Sequence, residues 1–136
     1  MKITTYHKGG LKFESSNDEQ KSVMMDAHLE VGGEGQGMTP KELLLAGLCG
    51  CTGIDVVSIL KKMRIELDDF YMTVDADEAE EHPKIFTNVR MEYHLKGKNL
   101  IREQVEKAVN LSQEKYCSVS AMFKTFANLS YTVFLD

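Results

Sequence analysis

Apolar and polar positions along this chain change their period several times, and each change marks an element. "MKITTYHKGGLKFES" alternates loosely and breaks at Gly9-Gly10, a pair suited to positive φ, which predicts a hairpin of Lys2 to Tyr6 and Leu11 to Glu14. "SSNDEQ" reads as a polar turn and Ser22 to Asp26 as a short third strand. "LEVGGEGQGMTP" follows as a flexible glycine-rich loop. It lacks the Gly-Lys-Ser/Thr ending of a phosphate-binding loop, which argues against nucleotide binding.

Thr39-Pro40-Lys41-Glu42 is a helix start: Thr at the cap, Pro at the first helical position and Glu three residues after the cap to close a capping box. The helix is expected to run to about Met63, where Lys61, Lys62 and Arg64 complement the negative end of its dipole. Two strands follow, near Leu67 to Ala76 and Phe86 to Lys96, joined by the charged "DADEAEEHP". Its acidic run, Asp75 to Glu81, reads as a solvated hairpin end. Between Asn99 and Lys115, apolar Ile101, Val105, Ala108, Val109 and Leu111 outline an amphipathic helix. "CSVSAMFKTFA" predicts a short third helix after a break near Cys117, and Leu129 to Leu135 a closing strand. This order gives α+β with mostly antiparallel pairing, in a single domain over residues 1–136.

The segment "LLLAGLCGCTGIDVV" departs from amphipathic patterning. Apolar side chains surround the helix axis on nearly all sides, so the element is expected to be buried all round. Gly47, Gly50 and Gly53 each cost about 1 kcal/mol of helix propensity against Ala. Close approach of another element would compensate. One layer of short strands cannot cover such a helix in a chain this small, which points to a two-fold homodimer. Only twelve residues separate Glu42 from Asp55, short of the roughly 20 that cross a bilayer, so a buried helix is expected and no membrane partner.

Composition narrows the function classes. With 43% hydrophobic and 27% charged residues the chain fits an ordered globule, and the net charge of -5 without a basic stripe argues against nucleic acid. "MKITTYHKGG" has no apolar segment of a secretory leader, so a cytoplasmic location is expected. There the three cysteines, an odd number, read as reduced thiols. The eight methionines, Met24, Met25 and Met122 among them, read as core fillers.

Two cysteine neighbourhoods are candidates for chemistry. Cys49 and Cys51 lie about 200° apart around a helix and cannot easily serve one site; their spacing also fails the Cys-x-x-Cys pattern of redox or zinc motifs. Cys51 sits in a small, mainly apolar notch with Gly47, Leu48, Ile54 and Asp55 one turn away. It reads either as a small buried hydrophobe or as a protected thiol. Cys117 falls at a helix junction, where free amides can lower a thiol's pKa or where it is simply packed. His82, before Pro83 in an acidic connection, reads first as a turn residue and second as a group able to reach the thiol site. His7, His28 and His94 carry no ligand spacing, and a zinc site would require distant groups to converge.

With both neighbourhoods quoted, the sequence resembles the OsmC/Ohr superfamily, the osmotically inducible and organic hydroperoxide resistance proteins. "TPKELLLAGLCGCTGIDVV" is similar to that family's proline-initiated central helix, whose reactive cysteine is matched by Cys51, and "KYCSVSA" to its second cysteine motif, matched by Cys117, Val119 and Ser120. The resemblance implies an OsmC-like α+β fold and an intertwined homodimer, two central helices wrapped by antiparallel sheets containing strands from both chains. It also implies thiol peroxidase chemistry on organic hydroperoxides or hydrogen peroxide, with catalytic Cys51 forming a sulfenic acid and Cys117 resolving it as a disulfide. The partners would be the peroxide and an external dithiol reductant, with no metal or organic cofactor.

Departures from the family pattern keep a second reading open. Family peroxidases carry an arginine on an N-terminal loop and a glutamate just after the helix-starting proline. Here no arginine precedes Arg64, Lys41 follows Pro40, Glu42 stands one position late, and Ser118 replaces the usual proline after the second cysteine. The pattern is closer to a divergent OsmC-like branch. The alternative is a non-catalytic redox-sensing or small apolar ligand-binding protein.

Overall fold

Gly9 and Gly10 take φ of 91° and 55° and turn β1 (Ile3–His7) back onto β2 (Phe13–Asn17) in the computed structural model, which describes residues 1–136. Two compact units result, Met1–Ala46 and Gly47–Asp136, with one helix running through the boundary.

In the first unit β2 pairs antiparallel with both β1 and β3 (Ser22–Met25). β2 outruns its expected end at Glu14 because Ser15 and Ser16 pair with Thr5 and Thr4, and the Ser15 and Thr5 hydroxyls meet at 2.7 Å. Asn17 then accepts the Glu19 and Lys21 amides at 3.0 and 2.9 Å, which closes the turn into β3.

The glycine-rich segment is held in place, contrary to the flexible loop expected. Asp26 is 2% exposed, and its carboxylate accepts the backbone N–H groups of Ala27, Glu34 and Gln36 at 2.8, 2.9 and 3.1 Å. A carboxylate can accept several amides at once, so one side chain organises the whole loop. Gly33 is required there, since a Cβ would collide with the Ala27 carbonyl.

α1 (Pro40–Lys62) begins as its sequence dictates: the Thr39 amide donates to Glu42 Oε2 at 2.7 Å and the Glu42 amide to Thr39 Oγ1 at 3.3 Å. Length and composition alone would let α1 cross a membrane. One stripe, Leu48, Thr52, Val56 and Leu60, is fully buried. The other faces are not covered: Ile54 is 73% and Val57 46% exposed. Burial on all sides is therefore not achieved within a single chain.

In the second unit β4 (Asp69–Glu78), β5 (Phe86–Lys96) and β6 (Asn128–Leu135) form one sheet in the order β4-β5-β6. Phe70, Met72 and Val74 oppose Leu95, Tyr93 and Met91, which oppose Leu135, Val133 and Tyr131. These alternate positions make the sheet's covered face. β5 and β6 run parallel, where antiparallel sheets were expected. The reason is the crossover between them, α2 (Arg102–Leu111), a π-turn (Ser112–Tyr116) and α3 (Ser118–Phe123), which returns the chain to start again at the same end of the sheet. Val105, Ala108 and Val109 of α2 are fully buried.

Two surface expectations change. Asp75 and Asp77 are not a loose hairpin end: they lie in β4 and both bind the Arg90 guanidinium of β5. Of the methionines only Met91 is fully enclosed, and Met122 is 62% exposed.

Hydrogen bonding predicts an acid response in the first unit. The Asp26 carboxyl feels burial, which alone would raise its pKa, but the Gln36, Glu34 and Ala27 amides together hold it below the ordinary 3.8. A lowered folded-state pKa gives stability that is present above 3.8 and lost as pH falls through the lower folded value. Asp26→Asn turns an N–H toward amides that need an acceptor. Hydrogen exchange at Glu34 and Gln36 is expected to accelerate in this variant at pH 6, with the difference from the parent shrinking under strong acid. Unchanged exchange would mean that the loop is held by something else.

Candidate functional site

The π-turn sets the position of Cys117. The Cys117 amide donates to the Ser112 carbonyl at 2.8 Å, closing a wide five-residue turn at the end of α2. The chain then restarts as α3 with Cys117 as its N-cap, the sulfur accepting the Ser120 amide at 3.3 Å. Cys117 is 3% exposed. Cys51, half-buried on α1, lies near enough to this sulfur to push its pKa further up, and both thiols are free. The two cysteines singled out in the sequence are therefore neighbours in the fold.

Their electrostatics are unequal. Burial pushes the Cys117 thiol above its ordinary value of 9.0; the Ser120 hydroxyl and amide oppose this, and the neighbouring Cys51 reinforces it. The Ser120 hydroxyl lies beside the sulfur without the alignment of a full hydrogen bond. The amide at the start of α3 does reach the thiol, but burial outweighs it, so Cys117 is kept protonated at neutral pH.

Cys49 stands apart from the pair. It lines an apolar groove of about 650 Å³ with Gly50, Gly53, Ile54, Phe70 and Met72, and burial raises its pKa. A Cβ on Gly50 would meet nothing within 4 Å, whereas one on Gly53 would touch Met72. The small residues of α1 thus open a channel on its uncovered side.

Beneath the pair lies a polar cluster that sequence reasoning missed. Thr52 Oγ1 is 2.8 Å from both the Tyr93 and Ser112 hydroxyls, Ser112 donates to Asp55 at 2.9 Å, and Gln113 Nε2 donates to Tyr93 at 2.6 Å. Thr52, Tyr93 and Ser112 are fully buried and Gln113 is 3% exposed. Burial pushes the Tyr93 hydroxyl up to about 12, against the lowering effect of Thr52 and Gln113. Lys124 Nζ anchors the Gln113 carbonyl at 2.6 Å. The available signal was Thr52 itself, one hydroxyl in the i, i+4 stripe Leu48, Thr52, Val56, Leu60.

The remaining candidates are accounted for. Lys41 and Glu42 occupy the first turn of α1, and the Thr39 amide and hydroxyl hold the Glu42 carboxyl below its ordinary value. His82 is exposed in the β4–β5 turn, where its bond to Pro83 is cis. His94 is stacked between Tyr71 and Phe134 on the sheet's other face, with centroids at 4.5 and 4.7 Å. No three His, Cys, Asp or Glu side chains converge in a way that could hold a metal ion.

Known proteins share this fold. The family described as OsmC-like protein matches residues 33–131. Protein YhfA of Escherichia coli K12 is 34% identical over 123 residues, 90% of this chain and 89% of YhfA. A hypothetical protein from Aquifex aeolicus VF5 superposes with a TM-score of 0.82 at 33% identity, over 99% of this chain and 96% of that one. The organic hydroperoxide resistance protein OsmC of Legionella pneumophila shares the fold with a TM-score of 0.72 at 20% identity, over 96% and 93% of the two chains. The matched span and the relative at 34% identity show that this chain belongs to the OsmC-like protein family.

Proposed function

We propose that the protein is a thiol-dependent peroxidase in which Cys51 attacks the peroxide and Cys117 resolves the product. The observation that carries this reading is the free Cys51 thiol neighbouring a Cys117 thiol that burial keeps protonated. The Cys51 thiolate attacks the O–O bond, the distal alkoxide leaves and takes up a proton, and Cys51 becomes a sulfenic acid. Cys117 then forms the S–S bond while the sulfenic hydroxyl departs as water with the Cys117 proton. An external dithiol restores both thiols. The Legionella pneumophila relative is described as an organic hydroperoxide resistance protein, which favours an organic peroxide as substrate. A cytoplasmic location would supply the reducing thiols.

A second reading, a redox sensor or apolar-ligand binder without turnover, draws on Glu42. That carboxylate is committed to the helix cap and no arginine precedes Arg64, so the pair that serves family peroxidases has no direct counterpart. Turnover separates the two readings.

The assembly we propose is a homodimer formed over the uncovered face of α1. Ile54 at 73% and Val57 at 46% exposure, beside the groove at Gly50, leave an apolar strip that a second copy would remove from water.

Three outcomes are expected. Cys51→Ser abolishes consumption of tert-butyl hydroperoxide with a dithiol, a drop of roughly a hundredfold or more; equal rates would leave the protein without a peroxidase role. Cys117→Ser allows a dimedone adduct to accumulate on Cys51 under peroxide, and an adduct on Cys49 would move the site. Ile54→Glu, exposed in one chain and so tolerated by its fold, is expected to raise the dimer dissociation constant by at least about tenfold in sedimentation. A monomeric parent protein, or an unaffected variant dimer, would remove the dimer.

A further inference from the structure

Following the protons through the buried cluster shows that its hydrogen bonds have one direction. Asp55, as a carboxylate, only accepts, and Ser112 gives it its single proton at 2.9 Å. The 2.8 Å contact between Ser112 and Thr52 must then be Thr52 donating. With its proton so engaged, Thr52 can only accept from Tyr93 at 2.8 Å. Tyr93 in turn accepts from Gln113 Nε2 at 2.6 Å. The series runs Gln113, Tyr93, Thr52, Ser112, Asp55, with each hydroxyl donating once, and Gln113 Nε2 also reaches Thr52 Oγ1 directly at 3.4 Å.

Two of its inner members, Thr52 and Ser112, are tied to the two thiols. Thr52 follows Cys51 on α1, Tyr93 belongs to β5, and Ser112 and Gln113 open the π-turn. The Ser112 carbonyl itself receives the Cys117 amide at 2.8 Å. π-turns are rare and short because ordinary helical spacing is favoured over them. If this one tightened to that spacing, the following residue would swing by about 100° around the axis and carry its sulfur off target. Disulfide closure tolerates little of this, since the two Cβ atoms must come to about 4 Å with a defined torsion.

We propose that the hydrogen-bonded series from Gln113 to Asp55 is a clamp that holds the π-turn open and so sets the aim of Cys117 toward Cys51. Thr52, Tyr93 and Ser112 are positioning residues: they govern formation of the disulfide and leave the attack of Cys51 on peroxide untouched. This rests on the reading of Cys51 and Cys117 as a closing pair, and goes beyond it by assigning the groups that control closure.

Thr52→Val keeps the shape of the side chain within the apolar stripe and removes the hydroxyl; Thr52→Ser keeps the hydroxyl. Tyr93→Phe interrupts the series one step earlier and serves where Thr52→Val does not fold. Two rates are measured on each: loss of the Cys51 thiol with tert-butyl hydroperoxide, and closure of the disulfide, followed by mass against dimedone trapping. Closure is also measured with diamide, which takes up the two electrons and two protons released by the thiol pair without any peroxide. The expected result is Cys51 oxidation within about twofold of the parent, closure slowed roughly tenfold or more by Thr52→Val and Tyr93→Phe with either oxidant, and recovery in Thr52→Ser. Lowered melting temperature with unchanged closure would overturn the clamp and reduce the cluster to a stabilising role. Slowed diamide closure in a protein that ignores peroxide would support the clamp and discard the peroxidase. A parent protein whose Cys51 and Cys117 do not close with diamide would overturn it.

Discussion

Covering α1 is the constraint on which the second unit is built. A helix with apolar groups around most of its circumference cannot remain in water, and only one stripe of it is fully buried within the chain. The fully buried Leu48, Val56 and Leu60 side chains fix its rotation about the axis. That rotation in turn directs Cys51 toward Cys117 and Cys49 toward the groove, because two positions along a helix separate two nearly opposite faces. The location of the thiol pair thus follows from packing.

Within that packing, the two thiols have different environments. Cys51 is half-buried, while Cys117 is enclosed and held protonated by burial. In the proposed reaction this difference would let Cys117 bring its own proton for the departing hydroxyl. The Ser120 amide on the sulfur adds orientation without lowering the pKa enough to reverse the effect of burial.

Much of this arrangement can be read from the sequence because it rests on local signals. Thr39, Pro40 and Glu42 spell the start of α1, Gly9-Gly10 the first hairpin, and the spacing of Val105, Ala108 and Val109 the inner face of α2. Cys51 and Cys117 follow from the motifs around them. What escapes such reading is non-local. The parallel pairing of β6 depends on where a crossover lands, and the role of Asp26 on amides eight and ten residues away. The cluster of Thr52, Tyr93, Ser112 and Gln113 draws on three elements, so no single window contains it. Thr52 alone offered a hint, a hydroxyl placed where every neighbour in its stripe is aliphatic.

The parallel alignment of β5 and β6 also orders the assembly of the site in time. A parallel strand can dock only after its long connection has been made, which places β6 and the segment carrying Cys117 among the last parts to settle, because remote pairings must first overcome loop-closure entropy. A chain still emerging from synthesis, or partly unravelled by heat, presents Cys51 before its partner is within range. Under the proposed reaction, a sulfenic acid formed at that stage would lack its resolving thiol and be open to irreversible oxidation. The topology therefore ties the meeting of the two thiols to completion of the fold.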